Sequence, residues 1–153
     1  MHPHIDELLS ATAISNKVIE LGQKITKDYE GKELVVMCVM KGGMIFCADL
    51  MRQIKIPHTL LIDGDGTWYK DNMHLLIVDG VCDTGKQLHT LIHTWWGRVK
   101  SIELCVLLNK VSCRRIPLDI KYIGFNVGSE FVVGYGMDYQ QQYRGIGNVG
   151  VIK

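Results

Sequence analysis

Apolar positions along this chain switch between helical spacing and short unbroken runs, and the switches outline a set of elements. Across residues 14–29, Val18, Ile19, Leu21, Ile25 and Tyr29 fall on or near one helical face, which predicts an amphipathic helix closed by Glu30-Gly31-Lys32. Residues 34–40 form an unbroken apolar run of strand length. Lys41-Gly42-Gly43 reads as a turn, and residues 44–53 as a second helix with Ile45, Ala48, Leu50 and Met51 apolar. Residues 59–62 predict a short strand, followed by a turn or loop at Asp63-Gly64-Asp65-Gly66-Thr67. The next apolar run, residues 75–78, stops at Asp79 and leads through a polar, glycine-bearing loop into a helix over residues 86–96. Three more strands are predicted at residues 102–108, 120–125 and 131–135, the last two separated by Asn126-Val127-Gly128-Ser129.

Strands alternating with helices imply an α/β fold built on a mainly parallel, three-layer sheet. Such sheets bind ligands at the carboxyl ends of their strands. Lys41, Asp79 and Lys110 each follow a predicted strand, so three polar loops should share one edge. No repeat, low-complexity stretch or linker divides the chain, and its 153 residues predict one domain over 1–153.

Composition narrows the partners. Hydrophobic residues make up 47% and charged residues 22%, with a net charge of +1, so no general pull toward nucleic acid or an anionic membrane is expected. The apolar runs are too short to span a bilayer, and MHPHIDELL lacks the basic segment and apolar core of a signal peptide. Five cysteines, with no C-x-x-C pair, read as reduced thiols used as small hydrophobes in the cytoplasm. Cys82 lies in the central loop, but Asp79 and Asp83 beside it disfavour a thiolate.

That loop carries the chemistry. In LLIVDGVCDTGKQL, Gly80, Gly85 and Lys86 match most of a nucleotide-triphosphatase phosphate loop, and the match fails at Gln87, where Ser or Thr would hold magnesium. Backbone N–H groups and a helix N-terminus converge there, which suits a phosphate. Acids inside such a cradle repel a bare phosphate unless a sugar or a divalent ion intervenes. The residues alone leave two readings open: a phosphate site, or a glycine-rich strand–helix connection with an acidic N-cap.

The same stretch resembles the phosphoribosyl diphosphate (PRPP) signature of type I phosphoribosyltransferases. LVVMCVMKGGMIFCADLMRQI is similar to the pyrophosphate-loop segment of hypoxanthine phosphoribosyltransferases, and residues 107–153, including FVVGYGMDYQQQYR, to their purine-binding segment and C-terminus. The resemblance covers almost the whole chain. It implies a type I phosphoribosyltransferase fold, with a mainly parallel twisted sheet flanked by helices and a small purine-binding hood. It also implies transfer of the phosphoribosyl group from PRPP to hypoxanthine or guanine, with Mg2+, in a homodimer or homotetramer.

Residue by residue, the resemblance assigns Asp83, Thr84, Gly85, Lys86 and Gln87 to the 5′-phosphate loop, with Asp83 also the general base near purine N7. Lys41 and Gly42 match the loop facing pyrophosphate, whose entering peptide can be cis in that family. Lys110 matches the donor to the purine 6-oxo group, Phe131 the aromatic stacked on the base, and Val132 the residue that reads the base edge through its backbone. Asp79 and Asp138 match acids near the metal, and Arg144 the arginine on pyrophosphate.

The chain departs from the family pattern in three places. Gly80 replaces the second acid of the pair that begins at Asp79, and Gln87 replaces a Ser or Thr on the 5′-phosphate. Between Ile62 and Leu75, where the family carries a long closing loop, only GDGTWYKDNMH follows Asp63, with Trp68-Tyr69 expected in a surface turn. These departures set a rival expectation, a phosphoribosyltransferase-fold protein that binds purine nucleotide or PRPP with weakened or lost turnover. A P-loop hydrolase is the third, opposed by Gln87. His89 and His93 sit one helical turn apart without an evident third metal ligand, Trp95-Trp96 suit the core or a subunit contact, and Arg114-Arg115 with Lys110 suit a phosphate-bearing rim.

Overall fold

The computed structural model of the chain describes residues 3–62 and 71–153. The predicted turn at residues 63–67 and the Trp68-Tyr69 pair lie outside the described residues. In chain order the elements are β1 (Ile5–Leu9), α1 (Ala11–Asp28), β2 (Leu34–Cys38), α2 (Met44–Gln53), β3 (His58–Ile62), β4 (His74–Cys82), α3 (Lys86–Trp95), β5 (Ser101–Lys110), β6 (Tyr122–Val127), β7 (Val132–Val133) and β8 (Val149–Ile152), with one 3-10 turn at Val111–Cys113. Five strands form a parallel sheet in the order β3-β2-β4-β5-β6. Three more form a small antiparallel sheet, β1-β8-β7, which is the expected hood.

Alternation along the buried strands sends side chains to opposite faces. Val36, Cys38, Leu76 and Val78 pack with Ile14, Val18, Leu21 and Ile25 of α1 and Phe46 and Leu50 of α2. Val35, Met37, Leu75 and Ile77 pack on the other face with Leu88, Leu91 and Trp95 of α3. The three-layer expectation therefore holds, with α1 and α2 on one side and α3 on the other. No helix among the described residues is long and apolar enough to cross a membrane.

Several boundaries differ from the sequence pattern. Helix α1 starts three residues earlier than predicted because the Ser10 hydroxyl accepts from the Ala13 N–H at 3.0 Å and caps it. The strand predicted to stop at Asp79 continues to Cys82, because β5 runs on to Lys110 and offers a ladder partner as far as Cys82↔Asn109. The acidic N-cap reading fails with it: α3 begins at Lys86 behind Gly85, whose left-handed φ of 89° no side chain caps. The strand predicted at residues 131–135 shrinks to Val132–Val133, because Gly134, Tyr135 and Gly136 all take positive φ and turn the chain away. Strands β1 and β8 were not predicted. Each is short, and they find each other only across the full length of the chain.

Candidate active site

The turn after β2 is held down onto β4. The Val39 N–H donates to the Val78 carbonyl at 3.0 Å, and the Gly43 N–H to Val39 at 3.0 Å. The Met40–Lys41 peptide is cis, as the resemblance allows. The Gly42 carbonyl then lies against two glycines. A Cβ on Gly80 would stand 2.7 Å from that oxygen, and one on Gly136 would stand 3.0 Å from it. The missing second acid thus has a local cause: this backbone leaves no room for a side chain at Gly80.

Asp79 lies within β4, only 7% exposed, and its Oδ1 accepts from the Gly80 N–H at 2.7 Å. Burial pushes its carboxyl up to about 6. The N–H groups of Gly80 and Val81 pull it back, and the nearby Asp83 pushes it further up. Asp83 opens the turn beyond the strand. Its half-exposed carboxylate stands 3.3 Å from the Nζ of Lys110, which is itself buried at the end of β5.

From Asp83 the chain wraps a cavity of about 390 Å³ bordered by Gly42, Asp79, Thr84, Gly85, Lys86 and Gln87. The Thr84 hydroxyl accepts from the Lys86 N–H at 3.3 Å. The N–H groups of Gln87 and Leu88 have no acceptor within their own helix, and both residues border this space. An adjoining cavity of about 310 Å³ is bordered by Lys41, Lys110, Phe131, Val132, Asp138 and Arg144, and it shares Gly42, Val81 and Asp83 with the first. Phe131 is 53% exposed and meets Tyr139 edge-on, with ring centres 5.8 Å apart. Arg144 donates to the Gly136 carbonyl at 2.7 Å and to Gln141 at 2.9 Å, and stands 3.5 Å from Asp138. Asp138 also accepts from the Gln141 N–H at 2.8 Å.

Every residue that the resemblance assigns to the site therefore borders one of two joined cavities at the carboxyl end of the parallel sheet. The arrangement offers N–H donors for an anion, a buried cation beside a carboxylate, an exposed aromatic face, and two further acids. Among the described residues no three His, Cys, Asp or Glu side chains cluster to hold a metal unaided. One or two carboxylates completed by substrate phosphates and water is the way proteins usually hold Mg2+, so Asp79 and Asp138 fit that ion. Asp79, desolvated and pushed toward its neutral form, is a group that a cation would relieve.

Sequence reasoning missed the support behind the loop. Arg114 and Arg115, expected with Lys110 at a phosphate-bearing rim, border a cavity with Lys110, Asp83 and Thr84, and Arg114 also turns back onto the loop's own backbone, where buried Asn109 links it to Asn126. Elsewhere, His89 and His93 bring their Nε2 atoms within 3.2 Å on the exposed face of α3. Trp95 is buried, while Trp96 is 75% exposed. Burial pushes the Cys82 thiol up, Asp79 and Asp83 add to this, and Arg114 opposes it, so a catalytic thiolate is not favoured.

Known proteins share both the sequence and this architecture. Residues 4–65 match the family model of the phosphoribosyl transferase domain. A hypoxanthine phosphoribosyltransferase of Buchnera aphidicola is 33% identical over 169 aligned positions, covering 97% of this chain and 96% of its own length. The crystal structure of a hypoxanthine-guanine phosphoribosyltransferase from Bacillus anthracis superposes with a TM-score of 0.92 at 32% identity, covering 99% of this chain and 100% of that one. The hypoxanthine phosphoribosyltransferase of Trypanosoma cruzi in complex with its product IMP gives 0.91 at 28% identity, covering 100% of this chain and 92% of that one. Two cavities joined at one acid, on a sheet shared with these enzymes along nearly its whole length, make this chain a member of the hypoxanthine phosphoribosyltransferase family.

Proposed function

We propose that this chain transfers the 5-phosphoribosyl group of PRPP to a 6-oxopurine, hypoxanthine or guanine, releasing pyrophosphate and forming IMP or GMP in purine salvage. The bond from ribose C1′ to the pyrophosphate oxygen breaks, a bond from C1′ to purine N9 forms, and the proton on N7 leaves for a base. The observation that carries this reading is the Lys110–Asp83 pair, 3.3 Å apart where the two cavities meet. A 6-oxopurine with a proton on N7 presents an acceptor beside a donor, and this pair presents the matching donor and acceptor. An adenine amino group would set donor against donor at Lys110.

The other roles follow from position. The N–H groups from Thr84 to Gln87 receive the 5′-phosphate, with the positive end of the α3 dipole behind them. Phe131 covers one face of the base, and Val132 meets its edge through the backbone. Lys41, Gly42 and Arg144 face the pyrophosphate. Asp79 and Asp138 would hold Mg2+, which, when bound, neutralises the leaving pyrophosphate. Asp83 accepts the N7 proton as C1′ moves to N9. The chain acts as one domain in the cytoplasm, and its exposed Trp96 suits assembly into a homodimer or homotetramer.

Incubation with PRPP, Mg2+ and hypoxanthine should yield IMP, followed by chromatography. Asp83→Asn should lower kcat by roughly 10²-fold or more, the scale of one general base, while IMP still binds in calorimetry. IMP binding by the unaltered chain without any turnover would instead support the nucleotide-binding reading.

A further inference from the structure

Three consecutive carbonyls of the phosphate loop are held from a single segment. Arg114 Nε donates to the Asp83 carbonyl at 3.1 Å, and its Nη2 donates to the Cys82 carbonyl at 3.5 Å. The same Nη2 donates to the side-chain oxygen of Asn109. The N–H groups of Arg115 and Ile116 both donate to the Thr84 carbonyl, at 3.0 and 3.1 Å. Buried Asn109 is held in turn, donating to the Asn126 side chain at 3.0 Å. A relay therefore runs from the end of β6, across the end of β5, through one guanidinium, into the loop.

In a trans peptide the carbonyl and the following N–H point in opposite directions. Holding the carbonyls of Cys82, Asp83 and Thr84 toward residues 114–116 turns the N–H groups of Asp83, Thr84 and Gly85 the other way, toward the cavity. Without such a clamp, a short loop between a strand and a helix can rotate its peptide planes and scatter those donors. The clamp also fixes the backbone on both sides of the Asp83 side chain, which must stay opposite Lys110.

We infer that Arg114 is a positioning residue for phosphoribosyl transfer. Its guanidinium is committed to the carbonyls of Asp83 and Cys82 and to the side chain of Asn109. It acts by aiming the N–H groups of the 5′-phosphate loop and by seating Asp83 against Lys110. The inference rests on the phosphoribosyltransferase reading of the loop. Lysine cannot replace it, because its single ammonium lacks the planar fork that reaches acceptors along two edges at once.

The test uses the full chain with Arg114→Lys and Arg114→Gln. IMP affinity by calorimetry should fall about tenfold in both, and kcat/KM for PRPP by roughly 10²-fold, the loss expected from ångström-scale misplacement. KM for hypoxanthine should change less than threefold, since Lys110 is carried by the β5 ladder. Combined with Asp83→Asn, Arg114→Lys should lower kcat by much less than it does in the parent, because seating Asp83 is one of its two routes, while the fall in IMP affinity should persist. Asn109→Ala, which removes one acceptor and keeps the fork, should give a smaller loss in the same parameters, and it decides the question if the Arg114 variants do not fold. Unchanged IMP affinity and kcat/KM in the folded variants would overturn the inference, as would multiplicative losses of kcat in the double variant or equal losses in both KM values. Absence of turnover in the unaltered chain would fault the underlying reading alone, since the IMP affinities still decide whether Arg114 aims the loop.

Discussion

Asp79 sits where a lone carboxylate is costly. It is 7% exposed on a parallel strand, and burial lifts its pKa from 3.8 to about 6. Between those two values the folded chain keeps a proton that the unfolded chain has released. Stability therefore falls as pH rises through that window, and above it the fold carries a penalty of about 3 kcal/mol. Asp79→Asn removes the charge and keeps an oxygen for the Gly80 N–H. In Mg2+-free buffer it should be more stable than the parent at pH 7, by about 1–3 kcal/mol, with the gap closing toward pH 4. Urea unfolding at both pH values measures this, and an equal gap at both would contradict the desolvation account. The same variant should lose transferase activity, since a cation at the pyrophosphate needs that charge.

Between elements, one close joint at the site brings the β2–α2 turn, β4 and the loop after β7 together on a single atom, the Gly42 carbonyl oxygen. Gly80 and Gly136 both approach it with no side chain to spare. Gly80→Ala should therefore cost about 1–3 kcal/mol by overpacking, read from chemical unfolding. Gly80→Asp, which restores the acid of the family pattern, should lower kcat/KM for PRPP rather than raise it. A gain in activity would mean that the turn yields easily and that the missing acid is a plain loss. This joint also marks how far the sequence could be read. The departure at Gly80 was visible, but its cause was not, because the colliding oxygen belongs to a residue that only the fold brings near. In the same way β4 was read as stopping at Asp79, since polarity ends the apolar run while the hydrogen-bond ladder with β5 continues regardless. The residues that border the two cavities were legible through the family resemblance, since the loop's residues alone left a phosphate site and a plain strand–helix connection both open. Arg114 and Asn109, which support them, were not, because any segment crossing beneath the loop could supply those donors. The hood was half legible: its purine-side run stood out, whereas β1 and β8 pair across the whole chain and carry no local signal.

At the scale of the molecule, two separate cores pin the parallel sheet from both faces, so the carboxyl edge that carries the site is rigid from below. The hood, tied to the N-terminus through β1, walls one side. Between Ile62 and Leu75, where the family pattern carries a long closing loop, this chain has only a short segment. Among the described residues the Asp83 side chain is 52% exposed and Phe131 is 53% exposed. Closing loops in such sites exclude water and protect a reactive ribosyl centre. With less cover, water should compete with the purine for C1′, turning PRPP into ribose 5-phosphate and pyrophosphate. Pyrophosphate release from PRPP and Mg2+ without purine should exceed the solution background and fall when hypoxanthine occupies the site. Release at the background rate would contradict this account of water access.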